Sequence, residues 1–209
     1  MLNYIIIFGK IREYPLFIFI MDTQTTTKIK PIGLGLHDDF PAICIQDYET
    51  NNFQWFNVYE IFQNSNDLEE FINLMNKARK SVLTSVSSEW FYPDCQYLHS
   101  IYSEHLDDCT LFEYLESLED CLANGHSVSL HEEFIANFGD SCIGDFSDYY
   151  YGEFDSTKDF AEHIVEETIN LDSIPDLITS NIDYENMWYD LQHDFVEIEA
   201  DGNTYFFHQ

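Results

Sequence analysis

The chain has 209 residues, with 39 Asp and Glu against 8 Lys and Arg, a formal net charge of −31 and a sequence pI near 4.1. So few cations exclude the usual phosphate-neutralising contacts to DNA or RNA and disfavour an anionic membrane surface. A content of 45% hydrophobic and 17% aromatic residues, with 18 Phe and 14 Tyr, excludes an acidic disordered chain, which would lack the apolar surface to build a core.

Residues 2–20, LNYIIIFGKIREYPLFIFI, hold two apolar runs broken by Gly9, Lys10, Arg12, Glu13 and Pro15. Neither run reaches the ~20 residues that span a bilayer, and the order of charges and small residues is not that of a signal peptide. Residues 1–20 read either as a translation-start artefact or weak extension, or as a real edge strand. With the polar stretch that follows Met21, they make residues 1–38 an N-terminal extension, disordered or mis-started.

The first predicted domain covers residues 39–93. Ala42–Asp47 and Phe53–Tyr59 read as strands around the Asn-rich turn Glu49–Asn52. The capping box Asn66-x-x-Glu69 opens a helix whose apolar residues Leu68, Phe71, Ile72, Met75 and Ala78 keep helical spacing. Trp90–Tyr92 forms a third strand, stopped at Pro93. A central, mostly helical domain covers residues 94–141. It comprises a helix around Tyr97–His105 and one opened by Thr110-x-x-Glu113, carrying Leu111, Tyr114, Leu115, Leu118 and Leu122 and stopped at Gly125. Another, opened by Ser129-x-x-Glu132, carries Phe134, Ile135 and Phe138 and ends at Gly139.

The third domain covers residues 142–209. It begins with a strand Tyr149–Phe154 interrupted at Gly152. Ser156-x-x-Asp159 caps a helix with Phe160, Ala161, Ile164, Val165 and Thr168 as its core face. Short helices start near Ser173–Pro175 and at Asn181 or Asp183, the latter running through Leu191. Phe195–Glu199 and Thr204–Phe207, joined by Asp201-Gly202, form a hairpin. Mixed elements in this order predict an α+β fold with antiparallel strands rather than a wound parallel sheet.

The residue types that announce chemistry are absent in the needed spacings. There is no GxSxG, P-loop or GxGxxG. His131-Glu132-Glu133 starts like a zincin but has no second His four positions on. No EF-hand loop is found, and Asp183, Glu185, Asp190 and Asp194 could not all reach one ion along a helix. The five cysteines, Cys44, Cys95, Cys109, Cys121 and Cys142, are odd in number and form no CxxC, which points to core thiols and a reducing cytoplasm.

What stands out is where the acids fall. Residues 1–80 hold ten acids and seven bases, whereas residues 81–209 hold 29 acids and one base, Lys158. Glu113, Glu116 and the pair Glu119/Asp120 recur at three to four residues, opposite the leucines of the same helix. Asp159, Glu162 and Glu166 repeat the arrangement opposite Phe160, Ile164 and Val165. Like charges so spaced destabilise a helix by about 0.2–0.5 kcal/mol per pair. A solvated acidic face explains any one such helix; repetition across 129 residues with a single Lys argues for a polyanion that a partner reads. Duplex DNA carries one negative charge per ~1.7 Å of axis, so the net charge of −28 over residues 81–209 matches roughly 48 Å of duplex.

The segment DFSDYYYGEFDSTKDFAEHIVEET, then IPDLITSNIDYENMWYDLQHDF and the closing DGNTYFF, resembles the C-terminal region of the ArdA antirestriction proteins. The matching positions are Tyr150, Gly152, Phe154, Ser156, Asp159, Phe160, Ala161, Ile182, Asp183, Tyr184 and Glu185. Upstream the likeness is looser: Tyr48, Asn51, Asn52, Trp55 and Asp94 match, the family's glycines are missing, and Cys95 and Gln96 depart. The likeness extends over about residues 39–209. It implies an elongated α+β protein of three small domains, usually a homodimer, whose acidic surface mimics bent B-form DNA. Such a protein occupies the DNA-binding groove of the methyltransferase and specificity core of type I restriction-modification enzymes, protects incoming mobile DNA, and needs no catalytic residue, cofactor or metal. The residues expected to form the mimic surface are Glu113, Glu116, Glu119, Asp120, Glu132, Glu133, Asp148, Glu153, Asp155, Asp159, Glu162, Glu166, Glu167, Asp183, Glu185 and Asp190. Two other functions are open from the residues alone: an acidic binding protein adapted to salt or calcium, and a hydrolase using a carboxylate pair.

Overall fold

A computed structural model describes residues 40–209; the expected extension 1–38, with both readings of residues 1–20, lies outside the described residues. The first sheet is built on β1 (Ala42–Asp47), which pairs antiparallel with β2 (Phe53–Asn57) on one side and with β3 (Trp90–Phe91) and β4 (Cys95–Gln96) on the other. Asn51 closes the β1–β2 turn at φ 57°, a left-handed conformation that Asn tolerates. Asp47, fully buried at the end of β1, accepts hydrogen bonds from the Glu49 N–H (2.8 Å), the Thr84 N–H (3.0 Å) and the Thr84 hydroxyl (2.8 Å). Burial pushes its carboxyl up, but these bonds outweigh that effect and hold it down at about 2.

The extended run expected to continue to Tyr59 stops at Asn57. Helix α1 (Val58–Gln63) follows, because the Asn57 side chain accepts from the Glu60 N–H (2.9 Å) and the helical turn brings Val58, Tyr59, Ile61 and Phe62 into the core together. Helix α2 (Leu68–Val82) is capped by Asp67 rather than Asn66, with the Glu70 carboxylate reaching back to the Asn66 N–H (3.0 Å). The helix expected at Tyr97–His105 is instead a series of turns. Tyr97 enters them at φ 53°, and the Ser100 N–H and hydroxyl are held by the Glu132 carboxylate at 2.8 and 3.0 Å. These tertiary bonds replace a local helical ladder.

Helices α3 (Asp108–Ala123) and α4 (Val128–Phe138) start earlier than expected, at the caps Asp107 and Ser127 instead of Thr110 and Ser129. Residues able to cap are dense here, and packing selects among them: Val128 and Leu130 are buried only because α4 has already begun. Both ends fall as expected. Gly125 (φ 88°) closes α3 in a Schellman motif, with the Gly125 N–H on the Leu122 carbonyl and the His126 N–H on the Cys121 carbonyl; Gly139 (φ 90°) closes α4.

The second sheet has the order β5 (Tyr150–Phe154), β7 (Asn203–His208), β6 (Phe195–Ala200), all antiparallel, with the register of β5 shifting between Tyr150 and Gly152. Asp201 (φ 53°) and Gly202 (φ 84°) supply the two positive φ angles that a tight β6–β7 hairpin needs. The central strand is buried on both sides. Phe207 packs on Phe134 of α4 and on Phe146 of α5 (Phe146–Tyr149), with ring centroids 5.2 and 5.4 Å away. Phe206, pointing the other way, stacks at 4.1 Å on Phe160 of α6 (Thr157–Thr168) and meets Trp188 of α8 (Tyr184–Leu191). Of the expected α6 core face, Phe160, Ala161 and Val165 are buried, Ile164 is half-buried, and Thr168 is exposed, its hydroxyl turned back to the Ile164 carbonyl.

Counting α7 (Asp176–Thr179), the described residues form eight α-helices and two antiparallel sheets, a mixed α+β fold. One cluster of buried apolar residues runs from Ile43 through α3 and α4 to Phe207, so the helices between the sheets serve both as filling.

Candidate functional site

Helix α3 sorts its side chains cleanly. Leu111, Tyr114, Leu115, Leu118 and Cys121 are buried, whereas Glu113, Glu116, Glu119 and Asp120 are exposed. The four acids line one open groove together with Phe62 of α1, Ser117, Ile143 and Gly144, so the structure brings all four onto a single surface. Two of the expected acids act on neighbouring groups. Burial and then the charge on Glu119 push the Tyr59 phenol up, which places Glu119 beside α1. Glu153 on β5 acts on His126, just past the end of α3: burial holds that imidazole down and Glu153 works against the burial.

In the C-terminal region Asp148, Glu153, Asp155, Asp159, Glu166, Glu167, Asp183, Glu185 and Asp190 are exposed and Glu162 is half-exposed. Helices α6 and α8 lie side by side over the second sheet, so their acids share one layer. Some of these carboxylates also have local work. Asp159 accepts from the Ser156 hydroxyl (2.5 Å), and Asp183 caps α8 through the Asn186 N–H (3.0 Å). Glu167 accepts from the Tyr151 hydroxyl (2.7 Å) and pairs with His163 (3.4 Å).

Glu132 differs from the rest. It is half-buried and accepts three hydrogen bonds, two from Ser100 and one from the Tyr114 hydroxyl (2.6 Å), so its carboxylate faces the 97–105 turns while Glu133, the next residue, faces out. Glu197 and Glu199, not among the acids picked out by helical spacing, are exposed two residues apart on one face of β6. Burial and then Glu199 push the Glu197 carboxyl up. The period-two alternation in Phe195–Ala200 was the signal that could have found them.

Compensating cations are scarce. Among the described residues Arg79 forms a largely buried ion pair with Asp108, and the His163 ring lies 3.4 Å from Glu167, an ion pair only when the imidazole carries a proton. Lys77, Lys80 and Lys158 join no ion pair among the described residues. No group of three or more His, Cys, Asp and Glu side chains in the described residues is placed to hold a metal ion. The thiols of Cys44, Cys95 and Cys121 are pushed up to about 11, 12 and 12, chiefly by burial, which keeps them protonated and unreactive at neutral pH. No helix of the described residues is long and apolar enough to cross a membrane.

Among the described residues the arrangement is thus a broad set of exposed carboxylates on a packed frame, with few cations beside them. Comparison with curated proteins finds no match. The model of one protein family, antirestriction protein (ArdA), matches residues 62–204, from the end of α1 to the start of β7. Since that match covers well over half of the chain, the protein belongs to the ArdA antirestriction family.

Proposed function

We propose that this protein counters restriction by mimicking DNA: its carboxylate array occupies the DNA-binding groove of a type I restriction-modification enzyme, in the methyltransferase and specificity core, and excludes duplex from it. The inhibitor performs no chemistry. The observation that supports this most directly is the exposed set Glu113, Glu116, Glu119 and Asp120 on α3, with further exposed acids on α6 and α8 and almost no cation among the described residues placed to neutralise them. Residues on successive helical turns are ~5–6 Å apart, inside the ~8 Å screening length at physiological salt, so their fields merge into a ridge. A cleft built to hold phosphates attracts such a ridge and speeds the encounter. In this reading the three sections 39–93, 94–141 and 142–209 are successive segments of an elongated mimic, and two copies extend it as a homodimer.

The test is competition. Purified protein titrated into a type I methyltransferase carrying a labelled duplex displaces the duplex stoichiometrically, with an apparent affinity that falls as salt rises. Retention of the duplex at a large excess of inhibitor at low salt refutes the reading.

A further inference from the structure

The one buried cation of the described residues lies at a junction. Arg79 leaves the last turn of α2, and its side chain is only 6% exposed. Its two terminal nitrogens meet the two carboxylate oxygens of Asp108, the first residue of α3, one of them at 2.8 Å. Nε and one terminal nitrogen donate to the Tyr92 hydroxyl at 3.1 and 2.6 Å, and the other donates to Asn76 Oδ1 at 3.2 Å. The guanidinium plane also lies 4.3 Å over the Trp90 ring of β3. One side chain thus ties α2, β3 and the start of α3 together. Nearby, Phe112 of α3 meets Phe62 and Phe71 at centroid distances of 5.2 and 5.4 Å. Ring contacts of that kind hold two elements together but allow them to slide and turn, whereas a planar fork on a carboxylate fixes direction.

We propose that Arg79 is a positioning residue for the acidic face: through Asp108 it sets the angle at which α3 presents Glu113, Glu116, Glu119 and Asp120 relative to the first sheet and α2. This rests on the DNA-mimic reading. Two features favour an orienting over a merely stabilising role. A buried ion pair can often be replaced by apolar residues at little cost in stability, so its presence points to specificity of arrangement. And this chain has 8 Lys and Arg for 39 acids, yet places this one inside, where it relieves none of the repulsion on the surface.

The experiment uses the full chain with the substitutions R79M/D108L, which removes both charges, and R79K, which keeps the charge without the fork. Urea unfolding gives the stability of each, and displacement of labelled duplex from a type I methyltransferase is measured over a range of salt. Both variants stay folded, yet the concentration for half-displacement rises about tenfold for the double variant. The slope of log affinity against log salt drops by about 0.9 for each carboxylate that no longer engages. R79K lies between the double variant and wild type; should the double variant not fold, R79K decides on the same slope. A folded variant with the wild-type slope and affinity, or a loss that tracks only the unfolded fraction, overturns the proposal. If wild type itself leaves the duplex in place, the DNA-mimic reading falls first and this inference with it.

Discussion

Helix α2 has Glu69 and Glu70 in its first turn and Arg79 and Lys80 in its last, the arrangement the helix dipole favours, whereas α6 has Asp159 in its first turn and closes with Glu166 and Glu167 and no base. In other respects the two are built alike. Each is capped by a side chain that accepts from the N–H three residues on, Asp67 from Glu70 and Ser156 from Asp159. Each buries one apolar stripe, Phe71, Leu74, Met75, Ala78 and Val82 in one case, Phe160, Ala161 and Val165 in the other. Caps and burial suffice to hold either helix, so the charges of α6 are free to oppose its stability. Helix α3 follows α6, with Glu119 and Asp120 towards its end and no base. Charge that works against the fold in the same way on several helices is what the proposed DNA-mimic surface calls for.

The comparison breaks most visibly if the acids are removed together. Replacing Glu113, Glu116, Glu119, Glu162 and Glu166 with Gln and Asp120 with Asn lowers the salt slope of duplex displacement by about 5 and raises the urea midpoint, since repulsion goes with the carboxylates. Partial sets give graded losses; one substitution that abolishes inhibition alone points to a localised site instead. The next effect in size concerns the packing of α4 on the second sheet. Phe134 packs on Phe138, Phe146, Tyr149 and Phe207, and Phe134→Ala costs about 3–5 kcal/mol in urea unfolding, with α4 and the second sheet lost in one transition.

His131 sharpens the contrast between buried and surface charge. Its ring is fully buried, Nε2 is bonded to the Ser117 hydroxyl at 2.9 Å, Nδ1 has no hydrogen-bond partner among the described residues, and burial pulls its pKa down to about 4. An unfolded chain takes up this proton near pH 6.5 and the folded one does not until about pH 4. The contribution is therefore whole above pH 6.5, declines as pH falls to about 4, and amounts to about 3 kcal/mol. Denaturation of wild type and His131→Gln across this range reads it as a difference, free of the surface carboxylates common to both. The smallest effect returns to the two helices. Glu166→Lys stabilises by about 0.3–1 kcal/mol, whereas Lys80→Glu destabilises by a similar amount, both by urea unfolding at low salt.

Much of this was legible in the chain. β1, the β6–β7 hairpin and the ends of α3 and α4 follow from a short apolar run beside an Asn-rich turn, Asp201-Gly202, Gly125 and Gly139, which are local signals with local causes. Helix starts were less legible, because Asn66 and Asp67, Thr110 and Asp107, Ser129 and Ser127 are all able to cap and differ only in what the choice buries. The acids of α3 and α6 follow from helical spacing, while Glu197 and Glu199 stand out only by the period-two alternation of β6, which helical spacing does not register.

By itself the amino-acid order determined the charge, its crowding beyond residue 80, the helical periodicity that sends those acids outward, and the motifs of the ArdA family. Only the tertiary structure decided that Tyr97–His105 is not helical, that Glu132 turns in to Ser100 and Tyr114 while Glu133 faces out, and that Arg79 is withdrawn from the surface to meet Asp108. The physical reason is range. Periodicity and turn chemistry act over a few residues, whereas the partners Ser100, Tyr114, Tyr92 and Asp108 that redirect the Glu132 carboxylate and the Arg79 guanidinium lie 13 to 32 positions away and meet only when the core closes.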